Sequence, residues 1–224
     1  DDALAHPDDG HHHRRGRRVA GRRAGRASPP ALLAANGFRY WLGTLTSTHR
    51  GEEGRYNLSV DGARDPAPLQ VLAPDRLWGL HAEHSRIGDE QLSHLSGMAG
   101  LRLLDLTGTP VSDAGLLHLQ GLDNLESLTL WHTNVTDAGL AIIGRVSSLV
   151  HLGLGATAVT DAGLRHLREL TNLRSLQLWG THVRGSGLQH LHGLSRLEMV
   201  TLPRRVRGSH RRRLRAALPA ALIV

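Results

Sequence analysis

The sequence predicts an α/β solenoid in which short parallel strands stack on one face, each followed by a turn and a short helix that returns to the next strand. Three observations carry that reading. From Leu77 onward the chain repeats every 24 residues. Within each repeat, leucines fall first at strand intervals and then at helical intervals. A Thr-Asp-Ala-Gly-Leu run or a close relative opens each return segment. A fixed period of this size marks a unit that cannot bury its apolar face alone and does so only against its neighbours.

The clearest units begin LRLLDLTGTPVSDAGLLHL at Leu101, LESLTLWHTNVTDAGLAII at Leu125 and LVHLGLGATAVTDAGLRHL at Leu149. LRSLQLWGTHVRGSGLQHL follows at Leu173, and an eroded copy, LWGLHAEHSRIGDEQLSHL, precedes them at Leu77. A last unit opens at Leu197 and reaches its Val-Arg-Gly-Ser 23 residues after the copy at Val183, one residue short of the period.

The strand comes first in each unit. Leu152 and Leu154 are two apart, so on a strand both point inward while Gly153 points out. The turn is next. Thr109, Thr133, Thr157 and Thr181 recur there, and their hydroxyls are expected to bond backbone groups as a ladder running through the stack. The return segment closes the unit: Thr160 reads as an N-cap, and Asp161 as a first-turn acid suited to the helix dipole. Asp113, Asp137 and Asp161 are accordingly read as caps, not as catalytic acids. Leu164, Leu167 and Leu170 continue along one helix face. Strands stack about 4.8 Å apart and helices need more room, so the sheet is expected on the concave side.

These motifs resemble those of bacterial leucine-rich-repeat proteins, common in planctomycete-type genomes, whose units read LxxLxLxxTxVTDAGLxxL, and they are similar to the cysteine-containing repeats of F-box adaptors. The resemblance covers residues 77–224 and implies a right-handed solenoid, a short horseshoe like that of ribonuclease inhibitor, serving as a binding scaffold. It also implies that Leu214–Ile223 closes the last repeat with a helix and a terminal strand, placing Val224 near the natural end. Val183-Arg-Gly-Ser departs from the pattern, so the fifth return segment should lack its cap and acid. No F-box-like helical segment is evident upstream, so an adaptor role does not carry over.

The rest of the chain divides as a disordered Arg/His-rich segment, 1–30, and a poorly defined flank or cap, 31–76. Like charges and the absence of core residues argue for disorder in the first. In the second, Tyr56, Leu58 and Val60 alternate as a strand does, as do Leu69 and Val71, among Pro66, Pro68 and Pro74. The repeats occupy 77–224 as about six units, including the terminal cap.

Composition excludes several classes of function. There is no cysteine, so disulfides, thiolate metal sites and thiol nucleophiles are out. No apolar run approaches the roughly 18 residues of a membrane span. The 27 basic residues are all Arg, which with the Ala and Gly enrichment fits GC-rich coding. Of the net charge of +7, residues 1–30 carry +3, residues 204–224 carry +7 and the body between carries −3. Basicity is therefore a property of the ends. The chain begins at Asp1, so an incomplete N-terminus is expected; the compartment is left open, with the cytoplasm slightly favoured.

Individuality is confined to the outward strand positions. One column reads His81, Asp105, Thr129, Gly153, Gln177, Thr201, and the next reads Glu83, Thr107, Trp131, Gly155, Trp179, Pro203. Trp131 and Trp179 are expected two rungs apart, about 10 Å, flanking a gap at Gly155. One reading makes them protein-binding anchors around a pocket, with His132, Thr129, His151 and Gln177 beside them. The other has each indole merely shielding the sheet. His81 and Asp105 read as a stacked polar pair near Glu83 and His84, without a nucleophile. His94, His118, His166 and His190 share one helix position, which periodicity explains. The His11–His13 tract suits only adventitious metal binding, and no cofactor or resident metal is expected. The sequence thus points to a non-catalytic monomer that binds an unidentified protein. The alternative is a polyanion such as nucleic acid held by Arg204, Arg205, Arg207, Arg211, Arg212 and Arg213.

Overall fold

The computed structural model of the 224-residue chain describes residues 56–60 and 77–224. The expectations for residues 1–55 and 61–76, including the His11–His13 tract and a strand at Leu69 and Val71, lie outside the described residues. Eight strands form one sheet: β1 (Tyr56–Ser59), β2 (Leu77–His81), β3 (Leu103–Asp105), β4 (Ser127–Thr129), β5 (His151–Gly153), β6 (Ser175–Gln177), β7 (Met199–Thr201) and β8 (Leu222–Ile223). They lie in sequence order and every pairing is parallel.

The register repeats with the sequence period. Leu80, Leu104, Leu128, Leu152, Leu176, Val200 and Ile223 are successive Cα partners. A slip of one residue would expose this whole inward column. The third clean unit shows how full burial is: Leu149, Leu152, Leu154, Val159, Leu164, Leu167 and Leu170 are each no more than 1 % exposed. Three-residue strands are short, but the hydrogen-bonded ladder continues past them into the turns. The amides of Leu106, Gly108, Leu130, His132, Leu154 and Ala156 each donate to a carbonyl of the following unit.

The return segments depart from the expected helices. Only α1 (Asp89–Leu92), α2 (Asp137–Ile143) and the terminal α3 (Gly208–Ala217) are α-helical, whereas Gly115–Leu119, Gly163–Leu167 and Ser186–Leu191 are 3₁₀ turns. One apolar residue in every three suits the three-residue turn of a 3₁₀ helix, which stacks i over i+3, but Leu140 and Ile143 have the same spacing in α2, so the spacing admits both forms. The threonine hydroxyls bond turn backbone as expected, once in every unit along the stack. Thr109, Thr133, Thr157 and Thr181 each donate to the Leu carbonyl three residues earlier, at 2.7 Å, so they close their own turn and do not link units.

The acids provide that link, and their role as local caps is corrected. Asp113 Oδ1 accepts the Thr136 amide at 2.8 Å and its Oδ2 accepts the Thr136 hydroxyl at 2.6 Å. Asp137 holds Thr160 in the same way, and Asp89 holds Ser112. The hydroxyls relay the contact inward: Thr136 Oγ1 accepts from the Ala138 amide and Thr160 Oγ1 from the Ala162 amide, both at 3.2 Å. Each Asp thus grips the next unit while that unit's Thr caps its own return segment. A Cβ at Gly115, Gly139 or Gly163 would collide with the gripping Asp Oδ1, which explains the glycine of Asp-Ala-Gly.

Two outcomes follow. Asp137→Ala leaves the Thr160 amide unsatisfied and should lower stability in urea unfolding by about 1–3 kcal/mol. Thr160→Val should cost less, and the pair should be non-additive in a double-mutant cycle; additive losses would remove the grip from the account. Asp161 tests the same contact through pH. Burial acts to raise its carboxyl, but hydrogen bonds from the Gly187, Arg184 and Gly185 amides and the Ser186 hydroxyl outweigh it and hold the group below its ordinary value. A depressed folded-state pKa contributes stability that is present above the unfolded value of about 3.9 and lost as pH falls through the folded one. Asp161→Asn should therefore flatten the acid limb of a stability–pH curve; parallel limbs for the two proteins would refute this.

A candidate binding face on the sheet

Three outward columns run across the face. The register places His81, Asp105, Thr129, Gly153, Gln177 and Thr201 side by side, as the period implied. The column of Trp131, Gly155 and Trp179 follows in the turns, joined by the bonds from His132 N to Gly155 O and from Ala156 N to Trp179 O. The third holds Gly79, Leu103, Ser127, His151, Ser175, Met199 and Leu222. Sequence reasoning took only His151 from it. Met199 and Leu222 are exposed apolar neighbours at the far end of the sheet, and their position in register with His151 was the signal for them.

The two indoles do not flank a gap. Their ring centroids lie 5.6 Å apart at an interplanar angle of 70°, an edge-to-face pair. The glycines make this possible. A Cβ at Gly155 would fall among the Trp179 ring atoms, and one at Gly153 would strike Trp131 Nε1. Each glycine is therefore a seat for an indole, and the expected pocket at Gly155 is filled by Trp179. His132 completes the cluster, its ring 5.5 Å from that of Trp179. His132 sits in the left-handed turn position, at φ 55°, shared by His84, Gly108, Ala156 and Gly180. Both indoles stay half-exposed, while Trp131 Nε1 is covered and has no hydrogen-bond partner among the described residues. Thr129 lies against Gly153 beside Trp131, Gln177 pairs with Gly153 on its other side, and His151 is exposed two residues earlier on β5.

At the opposite end of the face, ligand-capable atoms of His81, Glu83 and Asp105 all lie within 4.8 Å of one another. This is a polar triad rather than the expected pair. Asp105 Oδ1 accepts the Thr107 amide at 2.9 Å and its hydroxyl at 2.6 Å, so that oxygen is committed to its own turn. On the rim, Arg174 reaches Glu198 at 3.0 Å one rung away, and Arg102 pairs with Glu126 in the same manner. Such exposed pairs are worth about 0–1 kcal/mol each.

The arginines of the terminal unit do not form one patch. Arg211 Nη2 donates to Pro203 O at 3.0 Å and its Nε to Val206 O at 3.4 Å. Arg215 likewise holds Ile223 O. Arg211 is thus spent on closing the last unit. Arg205 and Arg207 line clefts at the loop edge, while Arg204, Arg212 and Arg213 are exposed and line neither. Among the described residues, no helix is long and apolar enough to cross a membrane.

No protein-family model matches the sequence, and neither does any curated protein. Solved structures do. Internalin C2 of Listeria monocytogenes aligns over 87 % of this chain and 82 % of its own, at 24 % identity and a TM-score of 0.63. The fold is a leucine-rich-repeat solenoid. A leucine-rich-repeat protein of Leptospira interrogans aligns at 18 % identity and a TM-score of 0.54 over 66 % of this chain and 37 % of its own. A further internalin of Listeria monocytogenes does so at 22 % identity and 0.52, over 74 % and 51 %. With this fold, the sheet that carries Trp131 and Trp179 is the concave face of a short repeat array, backed by the 3₁₀ and α segments on the convex side.

The seating of the indoles yields a direct prediction. Gly155→Ala should push Trp179 off the sheet and abolish the circular-dichroism signal of the coupled indole pair, as Trp131→Phe and Trp179→Phe should. A Gly155→Ala spectrum identical to that of the parent would show that the rings do not rest there.

Proposed function

We propose that this leucine-rich-repeat chain is a non-catalytic scaffold that holds a protein partner against its concave sheet as a single copy. Trp131, Trp179 and His132 form the centre of contact, with Thr129, His151 and Gln177 around it. The observation that carries this is the pair of half-exposed indoles locked edge to face over Gly153 and Gly155 in the middle of the sheet face. Aromatic side chains already fixed in place lose little conformational freedom on binding, and tryptophan is enriched among residues that dominate interface energies. Shielding of the sheet alone would not need a third ring aligned on the pair, as that of His132 is. The fold neighbours support a scaffold of this kind in general and name no partner for it. The polyanion reading rests on fewer side chains than the sequence suggested, because Arg211 is engaged in the terminal unit.

The test is affinity capture from native lysate with the parent, with Trp131→Ala/Trp179→Ala, and with Arg205→Gln/Arg207→Gln. Deleting residues 204–224 would be uninformative, since Leu214, Leu218 and Ile223 are part of the core. A hot-spot pair should weaken capture by about thirtyfold or more in the tryptophan variant and leave the arginine variant unchanged. Equal recovery of the same partners by the tryptophan variant would sink the proposal.

A further inference from the structure

Two consecutive units break the repeat in the same way. Where earlier units read Val-Thr-Asp-Ala, at Val135 and Val159, the next two read Val-Arg-Gly-Ser, at Val183 and Val206. Each change removes an acid and installs a guanidinium, so Arg184 and Arg207 occupy equivalent positions on adjacent rungs. Asp161 is the last acid of its column. Its carboxylate is taken up by the amides of Arg184, Gly185 and Gly187, at 2.8–2.9 Å.

Two clefts lie beside these substitutions at the loop edge, away from the sheet face. One, of 740 Å³, is lined by Arg184 and Arg205 with His182, His190, Ser186 and Gln189 among others. The other, of 490 Å³, shares Arg184, Ser186 and Arg205 and adds Arg207 and His210. Asp161 is the one acid that lines either space. The ion pairs among the described residues engage Arg102, Arg168 and Arg174, and none of the three cleft arginines. Like charges on facing positions of a stack repel, and a repeat that elsewhere supplies an acid here has lost it twice. A compact anion with two charges converts that repulsion into attraction. Guanidinium forks match the oxygen spacing of phosphate and bind it in bidentate fashion, with the Gln189 amide in the lining as a further donor.

We propose that the Arg184–Arg205–Arg207 clefts form a binding site for a phosphomonoester-type dianion, separate from the sheet face. The site recognises a terminal phosphate and not a run of phosphodiesters, because all three arginines line the one smaller cleft, whose lining does not include Arg204, Arg212 or Arg213, while Arg211 closes the fold.

The experiment titrates the full chain with inorganic phosphate by calorimetry at low ionic strength in chloride, with a phosphodiester duplex DNA as the second probe. Variants are Arg184→Gln, Arg205→Gln, Arg204→Gln as a charge-matched control that lines neither cleft, and Trp131→Ala/Trp179→Ala. Each is first checked for a cooperative urea transition with the parental midpoint. The expected result is saturable phosphate binding at one site per chain, weakened about tenfold or more by either cleft substitution. The control and the tryptophan variant should bind as the parent does. Absence of saturable binding overturns the proposal, as does equal weakening by the control, which would indicate general charge attraction. Tight DNA binding that survives both cleft substitutions would also overturn it. Because the tryptophan variant is scored separately, failure here leaves the sheet-face reading standing, and the reverse.

Discussion

The grip of one unit's aspartate on the next unit's hydroxyl residue is the contact on which the rest of the solenoid depends. Stacked leucines give the array its cohesion, but apolar contact is non-directional and would tolerate small slides between units. The carboxylate removes that freedom, since it must meet an amide and a hydroxyl together. It sets the spacing of the return segments and demands glycine three positions after the gripped residue. It also anchors the Thr that caps the following turn. With the loop edge held this way and the strands held by the ladder, each unit is fixed at both sides of its core.

That regularity makes the deviations legible. A residue conforming to the repeat is accounted for by the repeat, which disposes of most of the histidines, threonines and acids as sources of chemistry. What remains falls in two places. On the sheet, Gly153 and Gly155 replace the side chains of neighbouring rungs and let two indoles lie down as a pair. On the loop edge, the grip ends at Asp161, and the two units beyond it carry arginine and glycine in place of threonine and aspartate. Both departures substitute glycine for a larger residue and place aromatic or cationic groups next to it. They lie on different surfaces, so each can be lost without the other.

The sequence by itself determined the backbone of this protein. A 24-residue period with an inward leucine at each strand centre admits one parallel register, because a slip by a single residue turns the buried column to solvent. The register therefore placed His81 beside Asp105, and Gly153 between Thr129 and Gln177, before any coordinates were known. Only the tertiary structure decided where side chains point once the backbone was fixed. The gap expected between Trp131 and Trp179 was inferred from rung spacing, and long indoles swung across glycine seats to close it. Asp137 looked like a local cap, yet its carboxylate crosses to the next unit, where the amide and hydroxyl of Thr160, 23 residues on, both donate to it. Arg211 counted toward a cationic patch by composition and proved to be spent on backbone carbonyls of the closing unit. Periodicity fixes positions that many units share; the orientation of a single long side chain depends on which neighbours leave it room, and that is settled only in three dimensions.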